Sequence, residues 1–208
     1  MTVHLVAIAG GSGSGKTWLA RRLRRQLGCN AGLVSLDDFY RDLSALSKRE
    51  RDRRNFDDPA AIEWSLFLKT LARIKHGEPA AIPRYDFASH TRRPRTRLWT
   101  PKPIVLLEGL WLLREPRARR LYSLNVYLNA PDEVRLRRRV ARDRKERGRS
   151  RASVLRQFRA HVEPMHERFV ASQARHADIV LDSRIGDVTL GKLVAMVKEL
   201  NAKNRTVS

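Results

Sequence analysis

The chain has 208 residues, enough for one domain with a sizeable core; 42% are hydrophobic, with four Trp, six Phe and four Tyr, which excludes a disordered chain. Its formal net charge of +21, carried by 34 Arg and 9 Lys, suits anionic partners: nucleotides, nucleic acid or an anionic membrane surface. One cysteine, Cys29, excludes an internal disulfide, and the longest apolar stretch, PIVLLEGLWLL, is too short for a bilayer and carries Glu108.

The elements then follow as strand, loop and helix, repeated. HLVAIAG is a short apolar run of the kind buried in a parallel sheet, and a strand-like start within a few residues leaves no signal peptide, so a cytoplasmic protein is expected. A helix is predicted from about Lys16 to Leu27, ending near Gly28, and LVSL at 33–36 reads as a second strand. DDPAAIEWSLFLKTLARIKHG reads as one helix with Asp58 as N-cap, Pro59 in its first turn and Gly77 past its end; Ile62, Leu66, Leu71 and Ile74 supply its buried stripe.

The stretch IPRYDFASHTRRPRTRLWTP, about 82–101, is rich in Pro, Arg and aromatics and reads as a substrate-side excursion rather than core. PIVLLEG and SLNVYLN are two further buried strands. A basic helix from about Asp132 breaks at Gly148, a second starts near Ser150 with a kink expected at Pro164, and ADIVL and DVTLGKLVAMVKEL close the chain as strand and helix. Such alternation predicts an α/β fold with helices on both faces of a mostly parallel sheet, one domain over 1–208.

GGSGSGKT fits G-x-x-x-x-G-K-[ST] between a buried strand and a helix. Gly10, Gly11, Ser12, Gly13, Ser14 and Gly15 can turn backbone N–H groups around a β-phosphate, and the helix N-terminus adds partial positive charge. Lys16 is expected to reach the β- and γ-phosphates of ATP, and Thr17 to place its hydroxyl on Mg²⁺. ATPases, GTPases and small-molecule kinases share this loop, but no guanine-reading N-K-x-D stretch is present.

Asp37 and Asp38 stand where the second strand runs out, and Glu108 at the end of a later one, the edge at which open α/β sheets bind ligands. Asp37 is assigned as general base and Glu108 to the Mg²⁺ shell. Adjacent residues of an extended chain face opposite ways, so Asp38 is left to local capping or support. Tyr85, Phe87 and His90 offer a phenol, an aromatic ring and an imidazole within six residues, which suits a flat heterocycle. Arg135, Arg139 and Arg142 fall along one side of the basic helix, and Gly148 between Arg147 and Arg149 lets the chain bend.

In order, GGSGSGKT, LDDFY, NFDDPAA, IPRYDFASHTR, IVLLEG, RRRVARDRKERGR, LRQF and ADIVL resemble the uridine/cytidine kinases, within the wider group of phosphoribulokinase, bacterial pantothenate kinase and nicotinamide riboside kinase. The resemblance spans roughly residues 3 to 182 and implies a P-loop NTPase-type three-layer fold with an arginine-rich lid at about 139–149. It implies that Asp37 takes the proton of the nucleoside 5′-hydroxyl, that Asp57 binds ribose hydroxyls, and that Tyr85, Phe87 and His90 bind the base. Arg139, Arg142, Arg147 and Arg149 match the lid, with Arg142 and Arg149 catalytic, Arg139 and Arg142 on ATP, and Arg147 and Arg149 on the substrate side; Gln157 matches a position near the nucleoside.

The chain departs from the family's usual DSFY and NFDHPDAFD, having DDFY and NFDDPAAIE, and RRPRTRLWTP is unusually basic. The implied reaction is ATP-dependent 5′-phosphorylation of uridine and cytidine. The alternatives are a related kinase acting on nicotinamide riboside, pantothenate or a sugar phosphate, and a nucleic-acid-binding ATPase. No zinc spacing or recognition helix supports the last, so a small-molecule substrate is expected, with no nucleic-acid or membrane partner; a homo-oligomer stays open.

Overall fold

The computed structural model describes residues 2–202; residue 1 and residues 203–208 of the expected domain lie outside the described residues. β1 (His4–Gly10) ends in the glycine-rich loop, and α1 (Lys16–Leu27) follows, stopped by Gly28 at φ 62°. β2 (Ala31–Ser35) runs into a 3₁₀ turn, Leu36–Phe39, and then a short α2 (Lys48–Asp52) capped by a reciprocal Ser47–Glu50 box.

The expected helix from Asp58 is two elements. Asp58 caps a 3₁₀ turn, Pro59–Ala61, while α3 (Trp64–Lys75) starts later. Ile62 lies before that helix in a bridge to Tyr40, and Phe67 rather than the half-buried Leu66 joins Leu71 and Ile74 in the buried stripe. An isolated Asp–Pro turn satisfied by its own side chain explains the break, since Ile62 adopts extended backbone directly after it.

Four short strands follow: β3 (Ala80–Ile82), β4 (Tyr85–Asp86), β5 (Thr91–Arg92) and β6 (Arg97–Trp99), paired β3 with β6 and β4 with β5. This excursion is not separate from the core, as its sequence suggested: Ile82, Tyr85 and Trp99 are buried there, and the Trp99 ring covers the backbone of Gly32, where any Cβ would collide with it. Next come β7 (Ile104–Gly109), α4 (Pro116–Arg119), β8 (Leu124–Asn129), α5 (Asp132–Arg147) and α6 (Arg151–Gln157). α7 (Glu163–Met165), β9 (Ile179–Asp182) and α8 (Asp187–Ala202) complete the described chain. At Pro164 the helix does not break: wide π turns, Phe158–Val162 and His166–Val170, flank α7 and absorb the missing N–H and the ring.

The main sheet is parallel throughout, in the order β2-β7-β1-β8-β9. Alternate residues of β1 serve opposite faces, which is why the run is apolar at every position. Leu5, Ala7 and Ala9 join a cluster with Phe67, Leu71 and Trp111, whereas Val6 and Ile8 join Leu19 and Leu23 of α1 and Leu193 and Val197 of α8. Each fully buried Leu contributes about 2 kcal/mol by removal from water. All three strand ends that matter, β1, β2 and β7, therefore open on one edge of a rigid sheet.

Candidate active site

The phosphate loop is held open from beneath by α5. Gly13 has φ +82°, and a Cβ there would strike the backbone oxygen of Arg135; a Cβ on Gly11 would fall 2.8 Å from His166 Nδ1 and 2.9 Å from Arg135 Cδ. Only glycine gives both the left-handed backbone and the close approach. Lys16, at the start of α1, is buried, and its Nζ lies 3.4 Å from the Gly11 oxygen. Burial pushes its ammonium pKa down; Glu108 and Asp37 oppose that, while Arg142 and Arg139 add to it.

Glu108 and Ser35 are partners in the β2–β7 register, and the Ser35 hydroxyl donates to Glu108 Oε1 at 2.6 Å. The other carboxylate oxygen accepts from Thr17 Oγ1 at 2.9 Å. A hydroxyl and a carboxylate beside a phosphate loop are the hard oxygen donors that Mg²⁺ prefers, so the pair fits that ion.

Asp37 and Asp38 are not on extended chain, as their position after the strand suggested, but in the Leu36–Phe39 3₁₀ turn, begun where the Ser35 hydroxyl accepts from the Asp37 N–H. The turn still separates them. Asp37 lines a cavity of about 690 Å³ together with Lys16. Asp38 points elsewhere: burial raises its pKa, and a hydrogen bond from the Tyr85 backbone and nearby Arg97 oppose the rise.

That cavity also takes in Ser12, Asp57, Tyr85, Phe87, His90 and Gln157. Tyr85 and His90 converge because β4 and β5 form a tight hairpin and His90 adopts φ 55°. Arg92 fixes the hairpin to the Asp37 turn, its guanidinium donating to the Tyr40 oxygen at 2.9 Å and pairing with Glu63 at 2.7 Å. Tyr85 Oη is buried without a hydrogen-bond partner among the described residues. Two aromatics that sequence reasoning did not single out complete this end. Phe56 stacks on His90 with centroids 4.1 Å apart and planes 12° apart, and Tyr40 packs on Tyr85 at 5.1 Å. Both sit inside the quoted stretches NFDDPAA and LDDFY, Phe56 next to Asp57 and Tyr40 two residues after Asp38, so an aromatic close to each acid was the available signal.

On α5 the buried stripe is charged. Arg135, Arg139 and Asp143, four residues apart, are all buried, and Arg142 stands at the margin. Arg135 faces away from the cavity, paired with Asp132 and stacked on Phe158 under the phosphate loop. Arg139 Nη1 donates to Ser12 Oγ at 2.8 Å, Nη2 to Gln157 Oε1 at 3.0 Å, and the guanidinium lies 3.8 Å from Asp57. Arg139 thus touches both the phosphate loop and the acceptor end. Arg149 donates to Gln157 and to Ser153 Oγ at 3.1 Å, and Arg142 and Arg149 line the cavity with it. The Arg147 side chain lies outside the described residues.

A second groove of about 700 Å³ opens beside Gly15, lined by Trp18, Leu128, Arg138, Ser183 and Ile185. Arg138, also missed from sequence, spans it by donating to the Ser14 oxygen at 2.8 Å and to that of Ser183 at 3.3 Å.

A parallel sheet with a phosphate loop at its carboxyl edge, a strand-end carboxylate on the loop's Thr and an arginine-bearing helix packed against the loop defines a P-loop kinase-type α/β protein. The family described as "Phosphoribulokinase / Uridine kinase family" matches residues 5–189, and the chain belongs to it. A uridine kinase from Staphylococcus epidermidis is 36% identical over 178 residues, 85% of this chain and 86% of that protein. Another from Halobacterium salinarum is 35% identical over 193 residues, 93% and 86%. The solved phosphoribulokinase from Rhodobacter spheroides shares the fold, with a TM-score of 0.64, 18% identity and coverage of 87% of this chain and 70% of that one.

Proposed function

We propose that the protein transfers the γ-phosphoryl group of ATP to the 5′-hydroxyl of uridine and cytidine, as one kinase domain with a lid at about 139–149. One observation carries this reading beyond the family: a single cavity joins Lys16 and Asp37 at a phosphoryl end to Tyr85, Phe87 and His90 at an aromatic end. The uridine kinases that are 35–36% identical to this chain suggest the acceptor class.

Asp37 accepts the proton of the 5′-hydroxyl as that oxygen attacks the γ-phosphorus in line. Lys16, Arg142 and Arg149 stabilise the charge that develops on the equatorial oxygens. Asp57 accepts from the ribose hydroxyls, and the Tyr85 hydroxyl and His90 meet the pyrimidine edge; imidazole can donate or accept, which allows uracil and cytosine alike. Thr17 and Glu108 would hold Mg²⁺, which neutralises charge between the β- and γ-phosphates when bound. The groove beside Gly15 takes the base of ATP against Trp18 and Arg138. No described helix is long and apolar enough to cross a membrane.

The test is uridine-dependent ADP release from Mg-ATP with the product identified by chromatography. Uridine 5′-monophosphate is expected in equal amount to ADP; ADP release without that product would remove the proposal.

A further inference from the structure

Asp143 is fully buried on the last turns of α5, within the proposed lid, and it does not line the cavity itself. Its backbone oxygen closes the helix, accepting from Gly148 N–H and from Arg149 N–H at 3.1 Å, so its side chain is not needed for capping. The side chain instead meets three guanidiniums that do line the cavity. Oδ1 accepts from Arg142 Nε at 2.9 Å and lies 2.8 Å from Arg142 Nη2, while Oδ2 is 3.6 Å from Arg139 Nε and 3.8 Å from Arg149 Nη1.

Among the described residues, one buried carboxylate thus sits between three guanidiniums drawn from α5 and the residues just past it. We propose that Asp143 is a positioning residue: its carboxylate holds Arg139, Arg142 and Arg149 in a converged set and is partly displaced as their partner when a polyphosphate arrives. This rests on the reading that the lid arginines contact the transferring phosphoryl group.

Two consequences run in opposite directions. Asp143 competes with phosphate for the same donors, so a neutral residue there strengthens anion binding, because a buried like charge beside the phosphate is removed. The same residue keeps the guanidiniums aimed, so a neutral one loses turnover, since small misplacements of stabilising groups are costly in rate. A carboxylate that only supported the fold would weaken both.

The experiment titrates D143N, D143S and R142A with inorganic tripolyphosphate by calorimetry and measures kcat at saturating Mg-ATP and uridine. D143N and D143S are expected to bind about tenfold tighter and turn over about tenfold more slowly. R142A is expected to bind more weakly. If R142A weakens binding while both Asp143 variants leave it unchanged or weaker, the arginine reading stands and the role of Asp143 falls. Tighter binding with unchanged turnover, or loss of folding in both Asp143 variants, would also overturn it. Unchanged binding in R142A would remove both readings.

Discussion

Thr17 Oγ1 donates to Glu108 Oε2 at 2.9 Å across 91 positions of sequence, joining the last residue of the phosphate loop to the end of β7. The bond is available because β1 and β7 are direct neighbours in the sheet, with Ile8 opposite Glu108. Glu108 also accepts from Ser35, so three chain segments are locked at the point where we place Mg²⁺.

Replacing Glu108 with Gln removes the charge and keeps the shape. E108Q is therefore expected to need more Mg²⁺, with the half-saturating concentration raised about tenfold or more, since a hard cation prefers a carboxylate to an amide. Magnesium titration of kcat at fixed ATP checks this; an unchanged requirement would move the ion elsewhere.

Lys16 supplies a prediction about stability as well as rate. Its pKa in the fold is lowered, chiefly by burial, so the unfolded chain binds that proton more tightly. Stability then rises with pH through the window between the folded and unfolded values, and the penalty is at its full size below that window. K16M should lose at least about 10²-fold in kcat and yet melt no lower than the wild type without ligand. A clear fall in melting temperature at pH 7 would contradict the burial penalty.

D37N is expected to lower kcat by about 10²-fold or more while leaving uridine affinity within a few-fold, as loss of a general base does. D38N should be milder in kcat, since that carboxyl holds the Tyr85 backbone rather than facing Lys16. Steady-state kinetics of the pair decides; the reverse order would place the base at Asp38.

His166 makes the phosphate loop's support sensitive to acid. Burial and the neighbouring Arg135 lower its pKa to about 4 from an ordinary 6.5, with Asp132 opposing and Lys16 assisting. A lowered histidine costs stability as pH falls: the loss starts near 6.5 and is complete below about 4. Chemical denaturation between these limits should show the wild type losing stability that H166N retains, by less than the roughly 3 kcal/mol of the unscreened shift because solvent screens the partly exposed ring. Parallel curves would show that His166 does not couple to folding.

The phosphate loop, the five strands of the main sheet and the basic helix were legible because each is a local pattern: an apolar run, a capped helix, glycines at fixed offsets. Asp37, Asp57, Tyr85 and His90 were legible as types beside predicted strand ends and turns. Several features depend on distant chain and carry no local mark. The Trp99 ring is buried only because Gly32 leaves space, Phe56 meets His90 from another loop, and His166 reaches Gly11 through the π turns around Pro164. The 3₁₀ turn at Asp37 was hidden for a further reason: a one-turn element has no period to read.

In the function we propose, the aromatic end of the cavity selects a pyrimidine ribonucleoside. The most direct measurement is kcat/KM for uridine, cytidine, adenosine, thymidine, nicotinamide riboside, pantothenate and ribulose 5-phosphate, for the wild type and H90A. Uridine and cytidine should lead, and H90A should lower kcat/KM for them by roughly 10- to 100-fold, as loss of a buried hydrogen-bond partner does, with ATP affinity unchanged. Turnover of another acceptor with uridine and cytidine inert would contradict the account.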